Sequence, residues 1–264
     1  MFFFAWGSTG VMTGYSFLLA GLAAVAAGAV NALAGGGTLI TFPTLTFLGM
    51  PSIEANVTNT VALCPGYVGG ILAQLKEMRG QRKRLELFVG AGIIGGVIGG
   101  ILLLYTGERF FRAIVPFLIL LASGLLAIQN PMRRWLTRRL NMASKPHRSR
   151  LLSTVLIGLA AIYGGYFGAG LSVIVLSVMG LTEEDTLTRL NASKQAISLA
   201  VNSAVAVYFI FSGKVVWPVA LVMAGGTLIG GAIGGRFARR IRPDTLRWVI
   251  VSIGVLVAII YFIR

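Results

Sequence analysis

Two glycine-rich segments are places where main-chain groups could do chemistry. Each follows a long apolar run and precedes a short one: Ala34-Gly35-Gly36-Gly37-Thr38 in the first half, and residues 164–170, which include Gly168-Ala169-Gly170, in the second. Glycine frees main-chain N–H groups from a helix, and a short helix that starts at such a break directs its positive dipole end there. These features favour an anionic ligand. The alternative is that the glycines only let helices pack closely.

A second polar feature begins the apolar run that follows each short element. Residues 56–60 read Asn-Val-Thr-Asn-Thr, and residues 191–195 read Asn-Ala-Ser-Lys-Gln. Polar side chains inside membrane spans are costly, so they face a cavity or a partner. Asn59 and Asn191 match between the halves, and we predict that they bind substrate together with Thr60 and Ser193. The alternative for each asparagine is an interhelical hydrogen bond.

Lys194 is the one cation well inside a predicted span. It stands about five residues from the end of that span, or ~7 Å at helical rise. It could pair with an anion at the site, or extend its ammonium group to the membrane interface. Both interpretations stay open at this point.

The elements that must position these residues are apolar helices. Of 264 residues, 56% are hydrophobic and 12% are charged, against roughly 25% charged in soluble domains. The apolar residues form runs long enough to span a bilayer, and the second run of each half reaches only ~18 Å of the ~30 Å core. The predicted elements are residues 12–33, 38–49, 56–75, 86–105 and 112–129, then 151–166, 171–181, 189–211, 215–235 and 245–263.

The chain reads as two copies of one unit. Residues 94–100, Ile-Gly-Gly-Val-Ile-Gly-Gly, return as residues 229–235 with one change. Equivalent loops of the two halves carry opposite charge bias, so the copies must lie antiparallel in the membrane, as in many secondary transporters. The predicted fold is an all-α polytopic membrane protein with two inverted repeats of five helical elements. In each repeat the first pair is short or broken at a glycine-rich midplane segment.

The positive charges predict the orientation. Seventeen of the 23 Lys and Arg residues lie in three loops, at residues 76–84, 133–150 and 236–247, and loops of this kind are cytoplasmic. Both termini are then extracytoplasmic, and the protein is a multi-pass protein of the cell inner membrane. The predicted units are the N-terminal repeat (1–132), a basic cytoplasmic linker (133–150) and the C-terminal repeat (151–264).

Several classes of function lack support. The net charge of +15 is explained by the loops, so nucleic acid is not an expected partner. Cys64 and His147 are the single cysteine and histidine, and no catalytic constellation, cofactor site or metal site can be assembled. We predict that the protein is not an enzyme.

The expected partners are a small anion, the lipid bilayer, and a coupling proton or cation. Two stripes of glycines at small-xxx-small spacing could pack within one chain or between two chains. The sequence therefore leaves open whether the protein forms a homo-oligomer. The stripes are Gly92, Gly96 and Gly100, and Gly226, Gly230 and Gly234.

The two glycine segments and the polar starts together resemble a known family. The TauE/SafE family of sulfite and organosulfur anion exporters has a first signature similar to NALAGGGTLITFPTLTFLGMPSIEANVTNTVA and a second similar to GGYFGAGLSVIVLSVMGLTEEDTLTRLNASKQ. The resemblance covers residues 15–260. One departure is that family members often carry a lysine after the first-half Thr-Asn, where this chain has Thr60. Lys194 is then the retained cationic candidate.

The resemblance implies a secondary transporter that exports sulfite, a sulfonate or a related organosulfur anion, driven by a proton or ion gradient. Alternating access would come from rocking of the halves about the midplane site. Two alternatives remain: an uncoupled anion channel, and a transporter of another small anion such as a carboxylate.

Overall fold

Ten α-helices make up the computed structural model, which describes residues 14–33, 36–72, 78, 80–142, 150–183, 185–237 and 243–263. No β-strand occurs in these ranges. The helices of the first half are α1 Gly14–Leu33, α2 Thr38–Phe47, α3 Ser52–Leu72, α4 Arg82–Thr106 and α5 Glu108–Met142. Those of the second half are α6 Arg150–Tyr166, α7 Leu171–Thr182, α8 Leu187–Ile210, α9 Trp217–Phe237 and α10 Pro243–Ile263.

The predicted elements appear in the predicted order, and the all-α fold is confirmed. Helices α2 and α7 have 10 and 12 residues, too few to cross a bilayer of ~30 Å alone. By length and composition, three helices of the described ranges are long and apolar enough to cross a membrane. These are Gly14–Asn31, Arg84–Thr106 and Glu108–Arg138.

Three helices, α3, α4 and α5, extend by four or more residues beyond a predicted end. Helix α5 continues to Met142, because residues 133–140 are rich in Arg and Leu, which favour a helix. The first part of the predicted linker is therefore helical. Helix α3 begins at Ser52 rather than at residue 56. The Glu108 carboxylate accepts hydrogen bonds from the amides of Ser52 and, at 2.9 Å, Ile53. A carboxylate at this place satisfies free N–H groups of the first turn.

Helix packing follows a matched pattern. Helix α1 packs on α9 as α6 packs on α4, and α3 packs on α9 as α8 packs on α4. The remaining large contacts are α3 with α8 and α5 with α10. When each helix of α1–α5 is exchanged for its counterpart in α6–α10, each of these contacts either becomes another contact of the same set or stays the same contact. The two halves therefore make equivalent contacts.

The contacts of α4 with α6 and of α9 with α1 bring main chains together. A Cβ at Gly99 would lie 2.0 Å from the carbonyl oxygen of Ile162, and one at Gly230 would lie 1.9 Å from that of Val25. Only glycine allows this approach.

The predicted packing role of the glycine stripes is confirmed where the structure describes it. Gly92, Gly96 and Gly100 face side chains of α8, and Gly226 and Gly230 face α1. The surroundings of Gly234 lie outside the described residues.

The bundle has two ends, which we name by one residue each. The Glu108 face carries Ser52, Thr106 and Glu108. The Arg84 face, at the other end of α4, carries Gln81, Arg84 and the segment before α8.

Candidate functional site

The two helix breaks converge on one turn of α5. A Cβ at Gly36 would lie 2.6 Å from Leu126 Cδ1, and a Cβ at Gly170 would lie 3.2 Å from Leu125 Cδ1. This turn stands near the middle of the uncharged stretch of α5, residues 113–132. The α1–α2 break and the α6–α7 break therefore meet at mid-height in the bundle.

The short helices leave this turn in opposite directions. From Leu126, α2 runs toward the start of α5, where the rings of Phe42 and Phe111 lie 6.3 Å apart. From Leu125, α7 runs toward the other end of α5, where a Cβ at Gly180 would lie 2.5 Å from Leu136 Cδ2. The N-terminal ends of α2 and α7 therefore point toward each other. Their positive dipole ends favour negative charge between them.

The amides of the first break are not open in this structure. Asn31 Oδ1 accepts hydrogen bonds from the amides of Gly36 at 3.1 Å and Gly37 at 2.8 Å. For these two predicted ligand positions to bind an anion through their amides, the Asn31 side chain would have to turn away. Thr38, the first residue of α2, is 6% exposed. Gly35 lies outside the described residues.

The second break keeps its donors. Gly168 and Gly170 have φ values of 81° and 80°, which glycine adopts without strain. The Tyr163 hydroxyl donates to the Ala169 carbonyl at 2.8 Å, and this bond holds the break against α6. None of the described residues accepts a hydrogen bond from the amides of Gly168, Ala169 or Gly170. Ala169 and Gly170 are buried, so a ligand reaches these N–H groups only when the surrounding helices move apart.

Two asparagines of α3 stand one turn apart, and the first of them contacts the end of α6 beside the second break. Asn56 Nδ2 donates to the Tyr166 carbonyl at 3.0 Å, and Tyr166 is the last residue of α6. Asn59 is 1% exposed, and its Oδ1 has no hydrogen-bond partner among the described residues. A buried amide oxygen without a partner is costly inside a bundle. The Thr60 hydroxyl is engaged within α3, because it donates to the Asn56 carbonyl at 2.9 Å.

The second polar start is built into the Arg84 face. Ser193 Oγ donates to Gln81 Oε1 at 2.8 Å, and Arg84 also donates to Gln81. Arg84 Nη2 lies 2.8 Å from Asp185 Oδ2, and Arg84 Nη1 lies 3.6 Å from Glu183 Oε2. We call these five residues the Arg84 cluster. It joins the start of α4 to the segment around the start of α8.

Asn191 and Lys194 are half-buried in the first two turns of α8. Lys194 is seven residues from the start of α8 at Leu187, or about 10 Å along the helix. The described contacts thus place the two breaks and Asn56 in one region of the bundle, and they place Ser193 in another, on the Arg84 face.

Four residues of these networks were not among the site residues predicted from the sequence. Asn31, Asn56, Gln81 and Arg84 each make contacts that hold a break or the Arg84 cluster. Asn56 had a sequence signal, since it stands three residues before Asn59 on the same helical face. Gln81 and Arg84 had none, because their partners are about a hundred residues away. Within the described ranges, no group of three or more His, Cys, Asp or Glu could hold a metal ion.

Comparison with known proteins identifies the family. The family model described as "Sulfite exporter TauE/SafE" matches residues 20–261. The chain belongs to the TauE/SafE family. As a TauE/SafE protein with several apolar helices, it is a multi-pass membrane protein, and the resemblance predicted from its two signatures is confirmed.

Three relatives extend the comparison. "Probable membrane transporter protein" of Haemophilus influenzae is 27% identical over 78% of this chain and 79% of the relative. "Probable membrane transporter protein YfcA" of Escherichia coli K12 is 27% identical over 81% and 77%. "Probable membrane transporter protein ORF9" of a Sinorhizobium species is 28% identical over 90% and 89%. The three names describe transporters, and none indicates a catalytic activity.

Proposed function

We propose that the chain is a secondary transporter that exports a small sulfur-containing oxyanion across the cytoplasmic membrane. The substrate class is sulfite, a sulfonate or a related organosulfur anion, and a proton or ion gradient drives the transport. Family membership supports transport as the activity. The substrate class is inferred from the helix breaks, the mechanism from the contacts between the halves, and the coupling from the family resemblance.

The observation that carries the proposal is the meeting of α2 and α7 on one turn of α5. Gly36 and Gly170 lie against neighbouring leucines of that turn, so two positive helix ends face each other in an uncharged part of the bundle. An anion between them gains from both dipoles and from N–H donors without a charged side chain. A cation at the same place would be repelled by both.

The hydrogen bonds of Asn31 support the same ligand chemistry. Its side-chain oxygen accepts from two consecutive amides, Gly36 and Gly37, which is the contact that an oxyanion makes at a helix N-terminus. We infer that one substrate oxygen replaces Asn31 Oδ1 when substrate binds. A second oxygen would accept from the amides of Gly168 to Gly170. The Asn59 amide would orient the substrate, since it can offer either its NH₂ group or its oxygen.

The two repeats and their orientation belong to the proposal. The exchangeable contacts of α1–α5 and α6–α10, with the opposite charge bias of equivalent loops, support antiparallel repeats over residues 1–132 and 151–264, joined by linker 133–150. The Arg84 face then faces the cytoplasm because it carries the basic loops. The Glu108 face and both termini lie outside the inner membrane.

Alternating access requires that contacts between the halves break on one face at a time. On the Arg84 face, the Arg84 cluster joins α4 to the second half. On the Glu108 face, the Val216 amide donates to Thr58 Oγ1 at 3.0 Å, and the Tyr166 hydroxyl donates to Thr106 Oγ1 at 3.2 Å. We propose that these two sets of contacts close the cytoplasmic and the outer side of the site in turn.

A thermal-shift screen of the purified protein tests the substrate class. We expect sulfite and small sulfonates to raise the melting temperature in a saturable way, because a ligand that binds only the folded state stabilises it. Sulfate, thiosulfate and carboxylates serve as comparisons at the same ionic strength. Stabilisation by carboxylates alone would overturn the sulfur assignment.

A further inference from the structure

A large groove on the outside of the bundle lies apart from the helix breaks. Its volume is about 1090 Å³, and it opens between α2, α5 and α10 on the Glu108 face. Small-molecule pockets commonly have ~300–1,000 Å³. The groove is therefore far larger than a small oxyanion requires.

The walls of the groove are two apolar helix stripes. Helix α2 contributes residues at positions 40, 43, 44 and 47, and α10 contributes residues at positions 253, 257, 260 and 261. Both sets have the spacing of one helical face. Thr44 and Thr46 also line the groove, and both hydroxyls donate to carbonyls of α2. The walls therefore offer mostly hydrocarbon to an occupant.

The end of the groove on the Glu108 face is cationic. Arg109 and Arg112 line it from the first turns of α5, and both are exposed. No ion pair or hydrogen bond with any other described residue engages their side chains. Glu108, which also lines the groove, is held by the amides of Ser52 and Ile53. The mouth is thus positively charged.

The length of the groove matches one leaflet. The α10 stripe from Ile253 to Tyr261 rises about 12 Å, and half of the hydrocarbon core is ~15 Å. Apolar residues at the rim are open to the bilayer, including Phe47 at 73% and Ile260 at 45% exposure. An occupant with an anionic head and hydrocarbon chains would satisfy both ends of the groove at once.

We propose that this groove binds one anionic phospholipid. The headgroup phosphate lies on Arg109 and Arg112, and the acyl chains lie between α2 and α10. Guanidinium groups are suited to phosphate because they offer paired N–H donors. Since α2 and α10 belong to different halves of the chain, the lipid bridges the two halves on the Glu108 face.

Native mass spectrometry of the delipidated full chain tests the proposal. The protein is titrated with phosphatidylglycerol or with phosphatidylcholine that carries the same acyl chains. We expect the first phosphatidylglycerol molecule to bind on the order of tenfold more tightly than the first phosphatidylcholine molecule. In the double variant Arg109→Gln/Arg112→Gln we expect this preference for phosphatidylglycerol to be lost. In the control Arg134→Gln/Arg138→Gln, which removes two exposed arginines from the other end of α5, it remains.

A second pair of variants tests whether the chains occupy the groove. Ile259 and Ile260 are neighbours with 48% and 45% exposure, and only Ile260 of the two lines the groove. Ile260→Trp should weaken binding of both lipids severalfold, whereas Ile259→Trp should not. Glycerol phosphate, a headgroup without chains, should not displace the bound lipid.

Four results would overturn the proposal. These are an unchanged preference in Arg109→Gln/Arg112→Gln, an equal loss in Arg134→Gln/Arg138→Gln, equal effects of the two tryptophan variants, and displacement by glycerol phosphate. The last result would assign the arginines to a free anion. None of these readouts depends on transport, so the lipid site and the transported substrate are tested separately.

Discussion

Arg84 and Asp185 form an ion pair between the two halves of the chain, with 2.8 Å between Arg84 Nη2 and Asp185 Oδ2. Their side chains are 14% and 10% exposed, so water screens the pair less than it would at an open surface. Gln81 and Ser193 add a hydrogen bond beside it. The pair is thus the centre of the contacts that we propose to close the cytoplasmic side.

Removing the charge of Arg84 should weaken this closure. We expect Arg84→Gln to lower the free energy of unfolding by about 2 kcal/mol, between the values for exposed and buried pairs. Transport should fall severalfold, because the site no longer closes on that side. Thermal denaturation and proteoliposome flux measure the two effects. Arg134→Gln, which removes an exposed arginine of α5, is the control, and equal effects of both variants would contradict a closing role for Arg84.

The close approach of α9 and α1 should not tolerate a methyl group. A Cβ at Gly230 would lie 1.9 Å from the Val25 carbonyl oxygen, whereas one at Gly225 would have no atom within 4 Å. We expect Gly230→Ala to cost about 3 kcal/mol of stability. Gly225→Ala should be neutral or slightly stabilising, since alanine favours the helix. Melting temperatures of the two variants in one detergent give the comparison, and equal values would contradict the described packing.

Asn31 provides a test of the sign of the ligand charge. Asn31→Asp keeps an acceptor for the amides of Gly36 and Gly37, but it places a negative charge at the break. We expect this variant to fold and to bind sulfite at least tenfold more weakly, by charge repulsion. Asn31→Ala should lower stability instead, because two amides lose their acceptor. Calorimetric titration with sulfite measures the affinity, and tighter sulfite binding by Asn31→Asp would contradict an anion site.

Substitution of Lys194 distinguishes the two interpretations of its role. If its ammonium group meets the substrate, Lys194→Ala weakens anion binding by about tenfold, the effect of one lost charge-assisted hydrogen bond. Lys214→Ala, in the exposed turn before α9, is the matched loss of charge. Both variants are compared by sulfite affinity and by transport in proteoliposomes. Unchanged values for Lys194→Ala would leave only the interfacial interpretation.

Most helices could be predicted because hydrocarbon thickness limits apolar runs. The short elements predicted at residues 38–49 and 171–181 correspond to α2 and α7 within two residues. The early start of α3 could not be predicted, since its cap comes from Glu108, more than fifty residues away. The extension of α5 to Met142 was missed because apolar content indicates where a span ends, not where a helix ends.

The candidate site could be predicted only where its chemistry is local. Glycine breaks are visible in sequence, but the meeting of Gly36 and Gly170 on α5 depends on packing between distant helices. The role of Asn31 as acceptor for the first break follows from a turn of the chain that no spacing rule describes. The bond from Ser193 to Gln81 joins residues that are far apart in sequence. The assignment of Asn59, Asn191 and Lys194 to the substrate stays a prediction.

Net transport in proteoliposomes tests the central claim most directly. The purified protein is reconstituted, a proton gradient is imposed, and labelled sulfite or sulfoacetate is measured inside and outside over time, with protein-free liposomes as the control. A coupled anion transporter accumulates the label above its external concentration, and collapse of the gradient by an ionophore abolishes the accumulation. Flux that only equilibrates the label and does not respond to any imposed ion gradient would contradict coupled transport and leave an anion channel.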